Sequence, residues 1–251
     1  MTQLIRKNKE NHLIETIEKI ELEFPLSYSD TINALFTQLQ KQLETFSSLP
    51  KTLISRLQTI WGYRGYSMEK HFSMQKEYKK FDFYPKYRRL LEFDTRCLRK
   101  SMKNRRYSKV IFIGSGPLPL SLKLLRLNIQ KVGYDVSNEA LDLAKVSVPK
   151  DRFGRKIIYK KGNFFNLTIK EKQPVVIYVA GLIQGKENGL KRLAKQLPKG
   201  SLMVVRTVAN DKRGFLYEKI NKNALYRIGQ AKEFIPTKSS GVVNGMIIIK
   251  I

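Results

Sequence analysis

A chain of 251 residues with 42% hydrophobic content can bury a full core, as one large domain or two small ones. Forty-eight Lys and Arg against 21 Asp and Glu leave a formal net charge of +27, which brings nucleic acid into view as a partner, although the excess is spread along the whole chain. The longest unbroken apolar run, Val175 to Ile183, is nine residues and too short to span a bilayer, Met1 to Lys7 lack a signal-peptide core, and the single Cys97 cannot form an internal disulfide, so a cytoplasmic protein is expected.

Residues 1–105 read as a helical domain. Leu13, Ile14, Ile17 and Ile20 recur at helical spacing, as do Ile32, Leu35, Phe36, Leu39, Leu43 and Phe46. Pro25 and Pro50 punctuate these helices, and Leu53, Ile54, Leu57, Ile60 and Trp61 form a third stripe. Gly62 and Gly65 are then expected to open a loop running to about Tyr84, followed by a helix over roughly Pro85 to Lys103. After Tyr107 the texture changes, and residues 106–251 read as an α/β domain. Strands are predicted at Lys109–Ile113, Lys131–Tyr134, Lys156–Tyr159, Val175–Val179 and Ser201–Arg206, with helices between them, which signals a parallel sheet covered on both faces. Two more strands, near Tyr226–Phe234 and Val242–Ile249, lie too close for a crossover helix and predict an antiparallel C-terminal hairpin.

The most informative segment is Val110-Ile-Phe-Ile-Gly-Ser-Gly-Pro-Leu-Pro-Leu120. Its apolar residues make a buried strand, and Gly114 and Gly116 let the backbone turn sharply and approach a ligand. Asp135 follows Gly114 by 21 residues, the interval at which a doubly wound sheet places its ribose-binding acid. A nucleotide-like cofactor is the reading, with a plain tight turn as the alternative. The third glycine of a dinucleotide fingerprint is absent, and Pro117 and Pro119 stand where its helix would open.

With its Pro-Leu-Pro continuation, the loop resembles that of nicotianamine synthases and of their bacterial relatives that make opine metallophores of the staphylopine and pseudopaline kind. Four further landmarks carry the likeness. Ser29-Asp-Thr-Ile-Asn-Ala-Leu-Phe-Thr-Gln-Leu39 resembles the family's Asn-x-Leu-Phe-x-x-Leu helix, and Tyr84-Pro-Lys-Tyr87 with Leu90 and the acids after it resembles the Tyr-x-x-Tyr…Leu…Glu helix. Val204-Val-Arg-Thr207 with Gly214-Phe-Leu-Tyr217 resembles the fifth-strand segment, and Phe234-Ile-Pro-Thr237 with Val243-Asn244 the closing hairpin. The resemblance implies a Rossmann-like S-adenosylmethionine-dependent transferase fold behind an N-terminal helical substrate or lid domain. It also implies transfer of the 3-amino-3-carboxypropyl (aminobutanoyl) arm to a substrate amine, with methylthioadenosine released. Such an enzyme must align an uncharged amine and provide a group that takes its proton.

Site residues follow from the resemblance. Gly114, Ser115, Gly116 and Pro117 should pass under the cofactor, Asp135 and Val136 should meet its ribose, unless Asp135 caps the helix opening near Asn138, and Asn163 with Phe164 should sit at the adenine, a surface turn being the alternative for Asn163. Ala180 and Gly181 should leave room where the reacting groups meet. Asp94, seven residues after Tyr87, falls at the interval of the family's glutamate and is preferred as base or amine holder. Glu92 is the competing candidate, although Arg88 and Arg96 four residues to either side suit it to a solvated salt-bridge face. Tyr87 and Tyr84 are candidates for catalysis and substrate binding, or packing aromatics. Asp30 could hold a substrate amine or cap the helix from Thr31, and Arg206 could bind a carboxylate or form an ion pair. His12, His71 and Cys97 are too isolated for a metal site, so any metal belongs to the product.

The expected acceptor is histidine, the D enantiomer slightly ahead of L, because Asp30 favours a substrate with an extra cationic group and the chain lacks a plant-type C-terminal extension. Nicotianamine synthesis proper and an L-histidine enzyme are the alternatives within the family. An RNA methyltransferase is the rival outside it, yet Val179-Ala-Gly-Leu-Ile183 lacks the Asn/Asp-Pro-Pro-aromatic segment after the fourth strand. Nucleic acid and membrane are therefore not the expected partners. An opine dehydrogenase acting on the product is, and a homodimer is left open.

Overall fold

The computed structural model describes residues 2–24, 29–43, 45–46, 49–80, 84–102, 105–181, 183, 185–208, 220, 222–235 and 244–251. The chain forms two compact units, 1–71 and 72–251. The first contains α1 (Thr2–Leu22), α2 (Asp30–Leu43) and most of α3 (Lys51–Met74). Leu13, Ile17 and Ile20 of α1 and Ile32, Phe36 and Leu39 of α2 are buried, as their spacing predicts. Arg56 clasps both carboxylate oxygens of Glu21, at 3.0 and 2.5 Å.

One expectation for this region is corrected. Gly62 and Gly65 do not open a loop: α3 runs through both to Met74, and among the described residues a 3-10 turn, Tyr78–Lys80, follows before α4 (Tyr84–Met102). Leu53, Leu57, Ile60 and Met68 keep one apolar face buried, which outweighs a cost of about 1 kcal/mol per helical glycine. The division at 71/72 falls before α4, which packs on the α/β unit through Leu91, Phe93, Cys97 and Leu98, whereas the composition changes at residue 105.

The second unit is built on a seven-stranded sheet of order β3-β2-β1-β4-β5-β7-β6. Its strands are β1 (Lys109–Ile113), β2 (Gln130–Asp135), β3 (Ile158–Lys161), β4 (Val176–Val179), β5 (Leu202–Val208), β6 (Gln230–Phe234) and β7 (Asn244–Lys250). β1 to β5 pair in parallel, and β7 runs antiparallel between β5 and β6. This is the Rossmann-like architecture the alternating pattern predicts, closed by the expected hairpin. Helices α5 (Leu120–Leu124), α6 (Asn138–Ser147), α7 (Lys186–Ala194) and α8 (Lys222–Tyr226) complete the unit. One boundary differs: Tyr226 ends α8, whose turn is closed by the Ile228 and Gly229 amides on the Leu225 carbonyl, and β6 begins only at Gln230.

The two faces of the sheet carry separate cores. Ile111, Ile113, Ile177, Val179, Met203 and Val205 pack with α7, whereas Val110, Tyr178, Val204, Met246 and Ile248 pack with α4. Strand alternation assigns successive residues to opposite cores, so β4 is apolar throughout. Among the described residues, no helix is long and apolar enough to cross a membrane.

Candidate functional site at the carboxyl edge of the sheet

β1 ends in a turn that only glycine makes without strain: Gly114 has φ +77° and Gly116 φ +67°. The Gly114 and Ser115 amides donate to the Tyr134 carbonyl at 2.8 and 3.0 Å, which folds the loop over the end of β2. Asp135, the last residue of β2, accepts from the Gly116 amide at 2.8 Å through one oxygen and from the Ser137 amide at 3.1 Å through the other. Ser137 itself caps α6 by accepting from the Ala140 amide, so Asp135 is not the helix cap. Its carboxylate is half-buried, next to exposed Val136. Ser115 Oγ is buried without a hydrogen-bond partner, and the Pro117 carbonyl accepts from the Ser73 and Ser147 hydroxyls at 2.7 and 3.1 Å.

The β4 end stands beside this loop. The Ala180 amide donates to the Ile113 carbonyl at 3.0 Å, and a side chain at Gly114 would meet the Ala180 methyl at 3.0 Å and Ile183 at 3.1 Å. The turn into α7 is held by Lys186, fully buried, whose ammonium donates to the Gly181 carbonyl at 2.7 Å. Across the β3 end, the exposed Asn163 turns the chain by accepting from the Phe165 amide at 3.0 Å. The expectation for Phe164 is corrected. Its ring lies in the core so tightly against Gly189 that a Cβ there would sit 2.1 Å from it. The exposed ring is Phe165, which lies against the left-handed Gly185. The structure thus brings Gly114, Ser115, Gly116, Pro117, Asp135, Val136, Asn163, Ala180 and Gly181 to one edge.

The remaining candidates lie elsewhere. Asp94 is completely buried: both its oxygens take the Arg206 guanidinium, one of them at 2.7 Å, and Tyr178 donates its hydroxyl at 3.1 Å. Burial presses the Asp94 carboxyl upward against the pull of Arg206 and Tyr178. This is the geometry of a buried ion pair, and it engages Arg206 as well as Asp94. Tyr87 is half-buried against the same core. Glu92 faces away and binds Arg88 at 3.5 Å, one of the two partners its spacing predicts, and Arg126 at 2.5 Å, which lies outside its helix. Tyr84 shares a cleft with it. Asp30, in the other compact unit, is exposed in the first turn of α2, and Ser29 provides the cap by accepting from the Ile32 amide.

Sequence reasoning missed three residues. Tyr178 had a signal, because a hydroxyl in a fully buried strand needs a partner. Phe165 and Phe164 are neighbours in the turn after β3, where no periodicity tells which ring is buried, and nothing in sequence marks Lys186 as buried. Among the described residues, no group of three or more His, Cys, Asp or Glu could hold a metal ion.

A family profile described as nicotianamine synthase protein matches residues 6–251. Nicotianamine synthase 1 of Arabidopsis thaliana is 25% identical, over 95% of this chain and 82% of its own length. Nicotianamine synthase 9 of Hordeum vulgare is 26% identical over 179 residues, and that alignment spans 68% of this chain but about half, 52%, of the barley protein. Among solved structures, MtNAS in complex with MTA and tNA superposes with a TM-score of 0.69 at 17% identity, over 96% of this chain and 97% of that one. At that identity the superposition speaks for the fold.

Proposed function

Because the chain belongs to the nicotianamine synthase family, we propose that it binds S-adenosylmethionine at the carboxyl edge and transfers its aminobutanoyl group to an amine, releasing methylthioadenosine. The observation that carries this reading is the Gly114–Pro117 turn locked onto Asp135, inside a family match covering nearly the whole chain. The residues present fit the donor. The positive-φ glycines keep the backbone open to close approach, Ser115 Oγ is a buried hydroxyl with no partner, and Asp135 offers a half-buried carboxylate for ribose hydroxyls. Asn163 and the exposed Phe165 ring flank the adenine side, and Ala180 with Gly181 leaves space for the acceptor. Bound there, the donor supplies a sulfonium leaving group, so the protein's task is placement. Asp94, Arg206 and Tyr178 act as positioning residues that tie α4 to the ends of β4 and β5.

Histidine, with the D enantiomer favoured, is the proposed acceptor, supported by the resemblance of the Gly114–Leu120 loop to that of the opine-metallophore enzymes. Relatives named nicotianamine synthase in Hordeum vulgare, Arabidopsis thaliana and Solanum lycopersicum support nicotianamine formation as the second reading. A cytoplasmic enzyme feeding an opine dehydrogenase belongs with the first. The test is to incubate the protein with S-adenosylmethionine alone and with D- or L-histidine, then read the spent donor by mass spectrometry. Methylthioadenosine is expected, with a histidine adduct carrying one aminobutanoyl group. Methylthioadenosine and nicotianamine without histidine would select the second reading, and S-adenosylhomocysteine with an RNA acceptor would overturn both.

A further inference from the structure

The charge of +27 is left unexplained by a small-molecule transferase, and one feature of the fold concentrates it. Tyr78, Tyr84, Arg88, Glu92, Lys123, Leu124, Arg126 and Arg152 line a cleft of about 260 Å³. Four cations face one carboxylate there, an excess of three positive charges (4 − 1). The carboxylate is already engaged, since Glu92 binds Arg126 at 2.5 Å and Arg88 at 3.5 Å and so holds both guanidiniums in place. Lys123 is fixed as well: its ammonium donates to the Lys150 carbonyl at 2.9 Å and stands 6.0 Å from the Tyr78 ring centre. Tyr78 and Tyr84 lie ring to ring at 5.8 Å and form an aromatic wall. Burial lowers the Lys123 ammonium's pKa, only partly offset by Asp151, as expected of a cation short of counter-charge.

The cleft is distinct from the carboxyl edge. Arg126 follows Leu125, whose carbonyl takes the Lys131 ammonium at 2.9 Å, and Arg152 follows Asp151, ion-paired with that same ammonium at 2.9 Å. Both are therefore tied to the start of β2, four residues and roughly 13 Å of strand from Asp135 at its end. Arginine forks and lysine suit phosphate oxygens. The cleft is a small, half-open hollow, which suits a small ligand, whereas a polymer would need a continuous groove.

We propose that this cleft binds a small oligophosphate: a free di- or triphosphate, or the phosphate chain of a nucleotide with its base against Tyr78 and Tyr84. Calorimetric titration of the full chain with sodium tripolyphosphate and with ATP would test it, in the presence of S-adenosylmethionine so that the donor site is filled. Arg152→Glu and Lys170→Glu change the net charge equally. Both sites are exposed, but only Arg152 lines the cleft. Binding is expected to fall about tenfold or more in Arg152→Glu and to change by less than about twofold in Lys170→Glu. Tighter binding of ATP than of tripolyphosphate, reversed by Tyr78→Ala, would identify the nucleotide as the source, and equal binding the free phosphate. Equal weakening by both charge reversals, no binding of either probe, or single-stranded RNA bound far more tightly and indifferent to Arg152→Glu would overturn the proposal. None of these readouts depends on the transfer reaction.

Discussion

Asp135 and Asp94 are both acids flagged by spacing, yet their surroundings assign them different work. Asp135 holds two loop amides and remains half-exposed, so Asp135→Ala is expected to weaken S-adenosylmethionine binding by about tenfold or more. Unchanged affinity by calorimetry would remove it from the donor site. Asp94→Asn is expected to act on stability first, costing about 3–5 kcal/mol in denaturant unfolding, because it removes the charge of a fully buried carboxylate that meets both arms of the Arg206 guanidinium. The Asp94→Leu/Arg206→Met pair should recover much of that loss, and a fully stable Asp94→Asn protein with no turnover would restore the base reading. The glycine loop and its acid were legible because their chemistry is local: one turn and one strand end. The Asp94–Arg206 tie joins residues 112 positions apart, and only the packing of α4 across β4 and β5 makes it.

At the level of elements, two glycines in helices make opposite predictions. Around Gly62 an added methyl meets nothing within 4 Å, so Gly62→Ala should stabilise α3 by about 1 kcal/mol. Gly189 in α7 abuts the Phe164 ring, where a Cβ would lie 2.1 Å from it, so Gly189→Ala should destabilise by about 1–3 kcal/mol despite its better helix propensity. Thermal unfolding of the two variants, shifted in opposite directions, checks both. The strands were foreseeable within a few residues, most plainly β1, β4, β5 and β7, whose β-branched runs between turn residues have few other uses. The extent of α3 was not, because a glycine that lightens a helix and a glycine that ends one are the same letter.

For the molecule as a whole, pH offers a direct probe of the sheet. Burial raises the Tyr159 hydroxyl well above its usual 10.0, and that hydroxyl donates to the Val148 carbonyl at 2.7 Å. Burial and neighbouring Asp94 raise Tyr178 likewise. The unfolded chain then loses these protons first, so their contribution is intact below about pH 10 and drains away as pH rises further. Stability should fall steeply above pH 10, and Tyr159→Phe should be weaker at neutral pH by about 1 kcal/mol yet flatter across that alkaline range. A slope unaltered by the substitution would place the titrating group elsewhere. The doubly wound topology was readable from the alternation of strands and helices, whereas the seam at 71/72 was hidden because composition changes 34 residues later, after α4 (105 − 71).

The placement of β7 between β5 and β6 has a consequence for how the chain is made. β5 ends at Val208 and its neighbour begins only at Asn244, 36 positions later (244 − 208). At about 5–20 residues per second, a ribosome leaves that strand without its partner for roughly 2–7 s. Through that interval Leu202 to Val205, all buried in the finished sheet, form an open apolar border on a nascent chain. Synthesis, not the folded state, is when this protein is most exposed to aggregation, and slowing translation between 208 and 244 should lower its soluble yield.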